Sequence, residues 1–502
     1  MAVHSPVRRL ADVPAAHAAA RPQALALHFE GRDITYAQLA AACDAVARKL
    51  WHGLGVRPGD RVGWLGANHP GQLVLLFALA RIGAILLPLN TRLAAAELKA
   101  QLAECAPVHL VHDEVMAPLA REVCAQAGVP AHHVDAFTAN GTGDGELPAG
   151  DADADADADA DSPMLLVYTS GTTSRPKAAV HTQANLLANM RIASAAQCIV
   201  PDDVVATMLP LFHVGGLCIQ TLPALYAGAS VILHPRFNAD AAFDCFERQR
   251  PTLTLQVPAT MKALVDHPRW RTADLSSLRA VWAGSSLLPA PLVQSFHARG
   301  IPVCNVYGAT ETGPFSIALP PEHAFDHAGS CGWPAPEVEV RIDKGQGDSV
   351  KAGELLVRAP NVVARYWPDA PACDAQGWFH TGDLASRAAD GSYTIRGRAK
   401  DLIISGGENI HPAEIESVLA EHAAVAECAA FGVPDDAWGE AVAVAVVLQA
   451  GATASEAELH AHLAQRIARF KLPRRWFWLE ALPKTALGKV QRQALVKLAG
   501  QA

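Results

Sequence analysis

Residues 168–181 read "YTSGTTSRPKAAVH", directly after the apolar run "PMLLV" at 163–167. Five hydroxyl side chains and a glycine fill the first seven positions, and Lys177 follows. A bare polar loop at the end of a buried strand suits an anion, because backbone N–H groups, hydroxyls and a lysine can converge on it. The spacing differs from G-x-x-x-x-G-K-[ST], so the common P-loop is excluded. A polar surface turn is the alternative reading.

Around this loop, strand-like and helix-like segments alternate for about four hundred residues. "RVGWLGA" (61–67) precedes the helical "PGQLVLLFALARIGA", and strand-like "ILLPLN", helical "AAAELKAQLAEC" and strand-like "VHLVHD" follow. Beyond the loop, "VVATMLP", "SVILHP", "TLTLQVP", "RAVWAGS" and "VCNVYGA" read as strands separated by segments of helical spacing. This rhythm predicts an α/β fold with parallel-rich sheets covered by helices. Ligands then belong at the carboxyl ends of strands, where "PLFHVGG", "AGSS" and "YGATETG" also fall. From about residue 335 the pieces become short and β-rich ("EVEVRI", "GELLVRAP", "GSYTIRGR"). "DLIISGGENIHPAEIESVLA" then opens a small α+β unit, with two further helices and two strands expected after it.

Length and composition agree with two domains. A chain of 502 residues exceeds what one core organises, and half of it is apolar with 18% charged, as in globular proteins. The net charge of −9 is partly local: "DADADADADAD" at 151–161 carries six aspartates, and the remainder totals −3. No basic surface suits nucleic acid. The acidic run reads as a disordered linker over 149–162. Ten cysteines stand singly without zinc spacing, as expected of a reducing compartment, and the N-terminus has no apolar signal core. Leu73–Leu89, broken by Arg81, Gly83 and Pro88, reads as a buried helix and strand and not as a membrane span. The expectation is a cytoplasmic protein, and a homodimer is compatible with it.

Four polar segments stand in order: "YTSGTTSRPK" (168–177), "YGATE" (307–311), "GWFHTGD" (377–383) with "IRGRAKDLIISGGENI" (395–410), and "LPKTALGKVQR" (482–492). With these in this order the chain resembles, end to end, the acyl-adenylate-forming (AMP-binding) superfamily, in its acyl-CoA synthetase branch. "IISGGENIHPAEIE" is most similar to bacterial fatty-acyl-CoA and aryl-CoA ligases. The resemblance implies a large N-terminal domain (1–397) and a small mobile C-terminal domain (398–502), hinged near 398–401. It implies an acid–thiol ligase using ATP, magnesium and CoA. The enzyme would form acyl-AMP with pyrophosphate release, then pass the acyl group to the CoA thiol.

The resemblance assigns roles residue by residue. Thr169, Ser170, Gly171, Thr172, Thr173 and Lys177 would hold the β- and γ-phosphates, although Ser174 and Ala178 stand where glycine is common. Tyr307 and Gly308 would meet the adenosine, Thr310 the α-phosphate, and Glu311 the magnesium. Asp383 would accept from the ribose hydroxyls. Arg398 would contact ribose or phosphate, with a buried salt bridge as its competing role. Lys489 would be the adenylation lysine. Lys400 would mark the hinge, Gly406 and Gly407 the pantetheine tunnel, and Trp438 and Phe470 the CoA nucleotide. Phe212, His213, Gly216, Val257, Trp282, Ala283 and Gly284 would line the acyl pocket; His213 is either a gate or a packed ring. These mostly apolar walls suit a medium- or long-chain fatty acid or an aromatic acid, in fatty-acid or aromatic-acid metabolism. Amino-acid-activating relatives carry an aspartate in this pocket, and none appears around "PLFHVGG". Loading of a carrier protein's phosphopantetheine, or a catalytically silent nucleotide-binding relative, are the alternatives.

Overall fold

The computed structural model describes residues 7–137, 147, 160–169, 176–284, 288–343, 352–405, 408–435, 439–467, 469–485 and 488–500. Two large mixed sheets organise most of the chain. The first has nine strands, with a parallel centre that runs Val303–Tyr307, Ala280–Ala283, Leu253–Gln256, Val204–Thr207, Ser230–Leu233 and Leu25–Phe29. The second has eight strands, with Pro163–Thr169, Ile85–Pro88, Arg61–Leu65, His109–His112 and Ala131–His133 parallel in that order. The sequence reading of parallel-rich α/β sheets agrees with this.

The reason is hydrophobic patterning. Central strands such as Ile85–Pro88 and Leu253–Gln256 are buried at every position, as parallel strands covered on both faces must be. The largest core joins both sheets through helices Tyr36–Arg48, Pro70–Arg81 and Gln183–Ala196, which contribute Leu39, Phe77 and Ile192 to it. Helix Pro70–Arg81 is buried from Pro70 to Leu79 and so lies wholly inside. Two further cores cover the outer faces of the sheets. Among the described residues, no helix is long and apolar enough to cross a membrane.

The later, β-rich part forms a four-stranded antiparallel sheet of Glu339–Asp343, Gly353–Arg358, Phe379–Arg387 and Tyr393–Arg398. Between its strands the chain leaves to add Arg365–Tyr366 to the eight-stranded sheet, against the strand Lys177–Thr182. After the turn Ala399–Asp401 a separate five-stranded sheet begins at Ile403, and it carries helices Pro412–Leu419, Glu456–Ala464 and Arg492–Ala499.

Three expectations change. Beyond helix Pro412–Leu419 there are three strands and not two: Val425–Asp435, Gly439–Leu448 and Arg475–Trp478. The third was hidden because "RWFW" follows a run of basic residues and has little alternation. The expected linker also ends earlier than 162. The carbonyls of Ala160 and Ser162 accept from the N–H groups of Ala184 and Gln183, and so satisfy the first turn of a helix. Residues 149–159 lie outside the described set.

The third change concerns the opening stretch. The polar loop does not lead from a strand into a helix. Pro163–Thr169 and Lys177–Thr182 pair antiparallel, with Thr169 opposite Lys177, so the loop closes a hairpin. "AAVH" concealed its strand because alanine has low β-propensity. Its burial on the sheet decides the matter.

Candidate functional site

Tyr307 is the last residue of strand Val303–Tyr307 and so stands at the carboxyl end of the nine-stranded sheet. Asp383 lies on strand Phe379–Arg387 of the four-stranded sheet, directly opposite Arg398 in register. The two sheets meet here through Tyr307, Ile317, Leu355 and Tyr393. Tyr307 donates its O–H to Asp383 Oδ2 at 2.6 Å, and Arg398 Nε pairs with Asp383 Oδ1 at 2.7 Å. Burial, then the Asp383 charge, push the Tyr307 phenol well above its ordinary pKa, so it remains a donor. The competing salt-bridge role considered for Arg398 is therefore present. Each Asp383 oxygen retains a second lone pair for a ribose hydroxyl.

Past Tyr307 the chain turns at Gly308, and Thr310–Thr312 form a short 3-10 turn. A Cβ on Gly308 would lie 1.7 Å from the Pro314 carbonyl oxygen, so close backbone approach explains this glycine. Glu311 is buried at 9% exposure, and its Oε1 accepts from the Tyr366 hydroxyl at 2.9 Å. Among the described residues its other oxygen has no hydrogen-bond partner, and no three His, Cys, Asp or Glu groups cluster as a metal cage. One carboxylate with a spare oxygen fits magnesium, which is usually held by one or two carboxylates plus substrate phosphates. The exposed Lys177 places its ammonium 5.0 Å from the centre of the Tyr366 ring. Ser170, Gly171, Thr172 and Thr173 lie outside the described residues, and Thr169 ends its strand.

Lys489 is exposed on a tight turn. The Lys489 carbonyl accepts from Thr485 N–H at 2.7 Å, its own N–H donates to Thr485 Oγ1 at 3.2 Å, and Gly488 has φ of +78°. The turn brings the lysine towards His213: burial and then the Lys489 charge lower the imidazole pKa to about 4. His213 Nδ1 accepts from Gly215 N–H at 3.1 Å and so caps the helical segment that begins at Val214. The remaining proton of the neutral ring then sits on Nε2. Lys400 falls in the turn Ala399–Asp401, and Phe470 is 43% exposed. Gly406, Gly407 and Trp438 lie outside the described residues.

The residues assigned to the acyl pocket are brought together only in part. Trp282 and Ala283 are neighbours on one strand and face opposite sides of the sheet. Trp282 packs in the core between the sheets, 6.0 Å from the Phe315 ring, and Ala283 packs in the outer core. The period of two along a strand requires this, so both side chains cannot line one pocket. Phe212 is buried, Val257 is partly buried against the inter-sheet core, and Gly284 follows the strand directly. Gly216 is set by packing: a Cβ there would meet the Pro210 carbonyl oxygen at 2.3 Å.

Residues 15–367 match the model of the AMP-binding enzyme family, and residues 414–489 match that of the AMP-binding enzyme C-terminal domain. The chain belongs to the AMP-binding enzyme family. This AMP-binding enzyme is 43% identical to the indoleacetate–CoA ligase of Aromatoleum aromaticum over 96% of each chain. It is 38% identical to the feruloyl-CoA synthase of an Amycolatopsis species, over 96% of this chain and 97% of that one. Among solved structures it is similar to the o-succinylbenzoate CoA synthetase of Bacillus subtilis in complex with its acyl-adenylate intermediate. The TM-score is 0.87 at 30% identity, covering 96% of this chain and 97% of that one.

Sequence reasoning missed Tyr366, Asn361 and Tyr168 as structural partners of the site. Tyr168, inside the quoted loop segment, points away from the loop: its hydroxyl donates to Glu104 Oε2 at 2.9 Å and lies 3.2 Å from Cys105 Sγ. No local pattern marks these residues, because their partners are 46 to 64 positions away.

Proposed function

We propose that this AMP-binding enzyme is an ATP-dependent acid–CoA ligase that activates an aromatic carboxylic acid as acyl-AMP, releases pyrophosphate, and transfers the acyl group to the CoA thiol. The observation that carries the proposal is the joining of Tyr307 to Asp383 and Arg398 across 76 residues, one turn before Glu311. Residues from separate motifs thus lie where one nucleotide would touch them all. The aromatic choice follows the similar proteins, whose names specify indoleacetate, feruloyl and 2-succinylbenzoate.

A carboxylate must approach an anionic α-phosphate, so preorganised donors and charge have to offset repulsion. In this reading Asp383 orients the ribose, Tyr307 and Arg398 hold Asp383, and Thr310 donates to the α-phosphate. Lys489 supplies positive charge between the two reacting anions. Magnesium, held by Glu311, would neutralise the departing pyrophosphate. The phosphate loop, Thr169 to Thr173, and Lys177 grip the β- and γ-phosphates.

The domain boundary proposed at 397/398, with its hinge at 398–401, is supported by the strand that closes one sheet at Arg398 and the new sheet that opens at Ile403. Rotation there would withdraw Lys489 from the site and present Gly406, Gly407, Trp438 and Phe470 to CoA. All ten cysteines are free thiols, which supports action in the cytoplasm.

Purified protein given ATP, magnesium, CoA and a panel of aromatic and fatty acids is expected to release AMP and pyrophosphate with aromatic acids. ADP and inorganic phosphate as products would overturn the proposal. Transfer to a phosphopantetheinylated carrier protein in preference to free CoA would favour the carrier-loading alternative.

A further inference from the structure

Residues 361–366, which no motif singles out, brace the turn that carries Thr310 and Glu311. Asn361, 1% exposed, donates from Nδ2 to the carbonyls of Thr312 at 2.9 Å and Phe315 at 3.0 Å. The Val363 N–H donates to the Glu311 carbonyl at 2.8 Å, and the Tyr366 hydroxyl to the Glu311 carboxylate at 2.9 Å. The brace is itself anchored. Asn185 Nδ2 donates to the carbonyls of Pro360 and Val362 at 2.9 and 3.0 Å, Tyr366 pairs with Ala179, and Trp367 N–H donates to the Ala178 carbonyl at 2.8 Å. Tyr366 therefore belongs to the sheet that carries Lys177 and reaches the carboxylate on the turn following the other sheet.

We propose that Tyr366 is a positioning residue that couples Glu311, as the magnesium-holding carboxylate, to Lys177 of the phosphate loop. The proposal rests on the reading of Glu311 given above. Magnesium demands near-octahedral geometry and tolerates little misplacement of a ligand. A hydroxyl donated to Oε1 locks the carboxylate rotation and leaves Oε2 as the single oxygen for the metal. The donor is neutral, so it orients Glu311 without cancelling the charge that attracts the ion, as a lysine or arginine partner would. Burial and the Glu311 charge hold the Tyr366 phenol far above its ordinary pKa, so it stays a donor. The ring face meanwhile holds the Lys177 ammonium without neutralising it. One side chain thus sets the relative position of a cation and an anion that must both meet one tripolyphosphate.

Tyr366→Phe removes the hydroxyl and keeps the ring; Tyr366→Leu removes both. Calorimetric titration of ATP onto the full chain, at magnesium concentrations from micromolar to millimolar and without acid substrate, separates the two contributions. The Phe variant is expected to need about tenfold more magnesium for half-maximal ATP binding, about 1.4 kcal/mol. Its ATP affinity at saturating magnesium should stay within about twofold of the parent. Its AMP affinity should be unchanged, because AMP lacks the β- and γ-phosphates. The Leu variant should also bind ATP more weakly at saturating magnesium. Adding Tyr366→Phe to Glu311→Gln should produce no further shift. A Phe variant with the parent's magnesium dependence overturns the proposal, as does one that loses AMP and ATP binding equally. Product analysis of the unsubstituted enzyme tests the ligase reading separately, and its failure would leave these binding results standing.

Discussion

Both oxygens of Asp383 are engaged by protein donors, Tyr307 on one and Arg398 on the other. Such a carboxylate is held in one rotamer, which is what recognition of a pair of hydroxyls requires. Tyr307→Phe removes one neutral donor and keeps the ring. It should raise the KM for ATP about fivefold with little change in kcat, in line with roughly 1 kcal/mol for one hydrogen bond. Arg398→Ala should cost more, because it leaves Asp383 without its counter-charge. Steady-state kinetics on both variants checks the order. For Lys489 the expectation is a split between half-reactions. Lys489→Ala should slow acyl-AMP formation by about 10²-fold or more, the size of one preorganised charge or donor, and leave thioester formation from supplied acyl-AMP near normal. Equal slowing of both steps would make the lysine a structural residue or one that serves both states.

At the level of elements, the strand-to-turn junctions carry the site, and backbone fit decides which residues they tolerate. Gly308 is the sharpest case, since an added Cβ would collide with the Pro314 backbone and not with a yielding side chain. Gly308→Ala should destabilise the protein by about 3 kcal/mol, at the upper end of ordinary overpacking, and weaken ATP binding by shifting Tyr307. Thermal unfolding followed alongside ATP titration would register both effects. The phosphate-loop hairpin shows the opposite situation. Its flanking strands are tied down by pairing with Ile85–Pro88 and Arg365–Tyr366, so the sheet sets the separation of Thr169 and Lys177. Periodicity could locate "PMLLV" as a strand. It could not reveal that "AAVH" returns beside it, because that depends on which edge is open for pairing.

Across the whole molecule, burial of titratable groups makes stability depend on pH. His181 is fully buried on strand Lys177–Thr182, and among the described residues neither ring nitrogen has a partner. Burial lowers its pKa from 6.5 to about 4. The unfolded chain therefore takes up this proton first as pH falls. Stability is complete above about pH 6.5 and is lost progressively towards pH 4. For a shift of this size the loss reaches about 2 kcal/mol by pH 5. Urea unfolding between pH 7.5 and 5 should show a downward trend in the parent protein, and His181→Leu should flatten it by that amount. His213 adds a similar contribution, part of which comes from Lys489, so moving that lysine away would reduce it.

The local chemistry was legible in the chain because it is local. Alternating buried strands and amphipathic helices follow from hydrophobic period, and the ordered polar segments mark where nucleotide chemistry belongs. Gly308, Thr310 and Glu311 share one turn with Tyr307 because five consecutive residues have nowhere else to go. Tertiary structure alone decided the partners. Arg398 meets Asp383 because a bulged antiparallel register puts them opposite each other, and Tyr366 meets Glu311 because a strand crosses from one sheet to another. It also set Trp282 and Ala283 apart, on two faces of one strand. A side chain's type can be read from its codon's product, but the group it touches depends on which surfaces the core brings within about 3 Å, and that distance is a property of the packed whole.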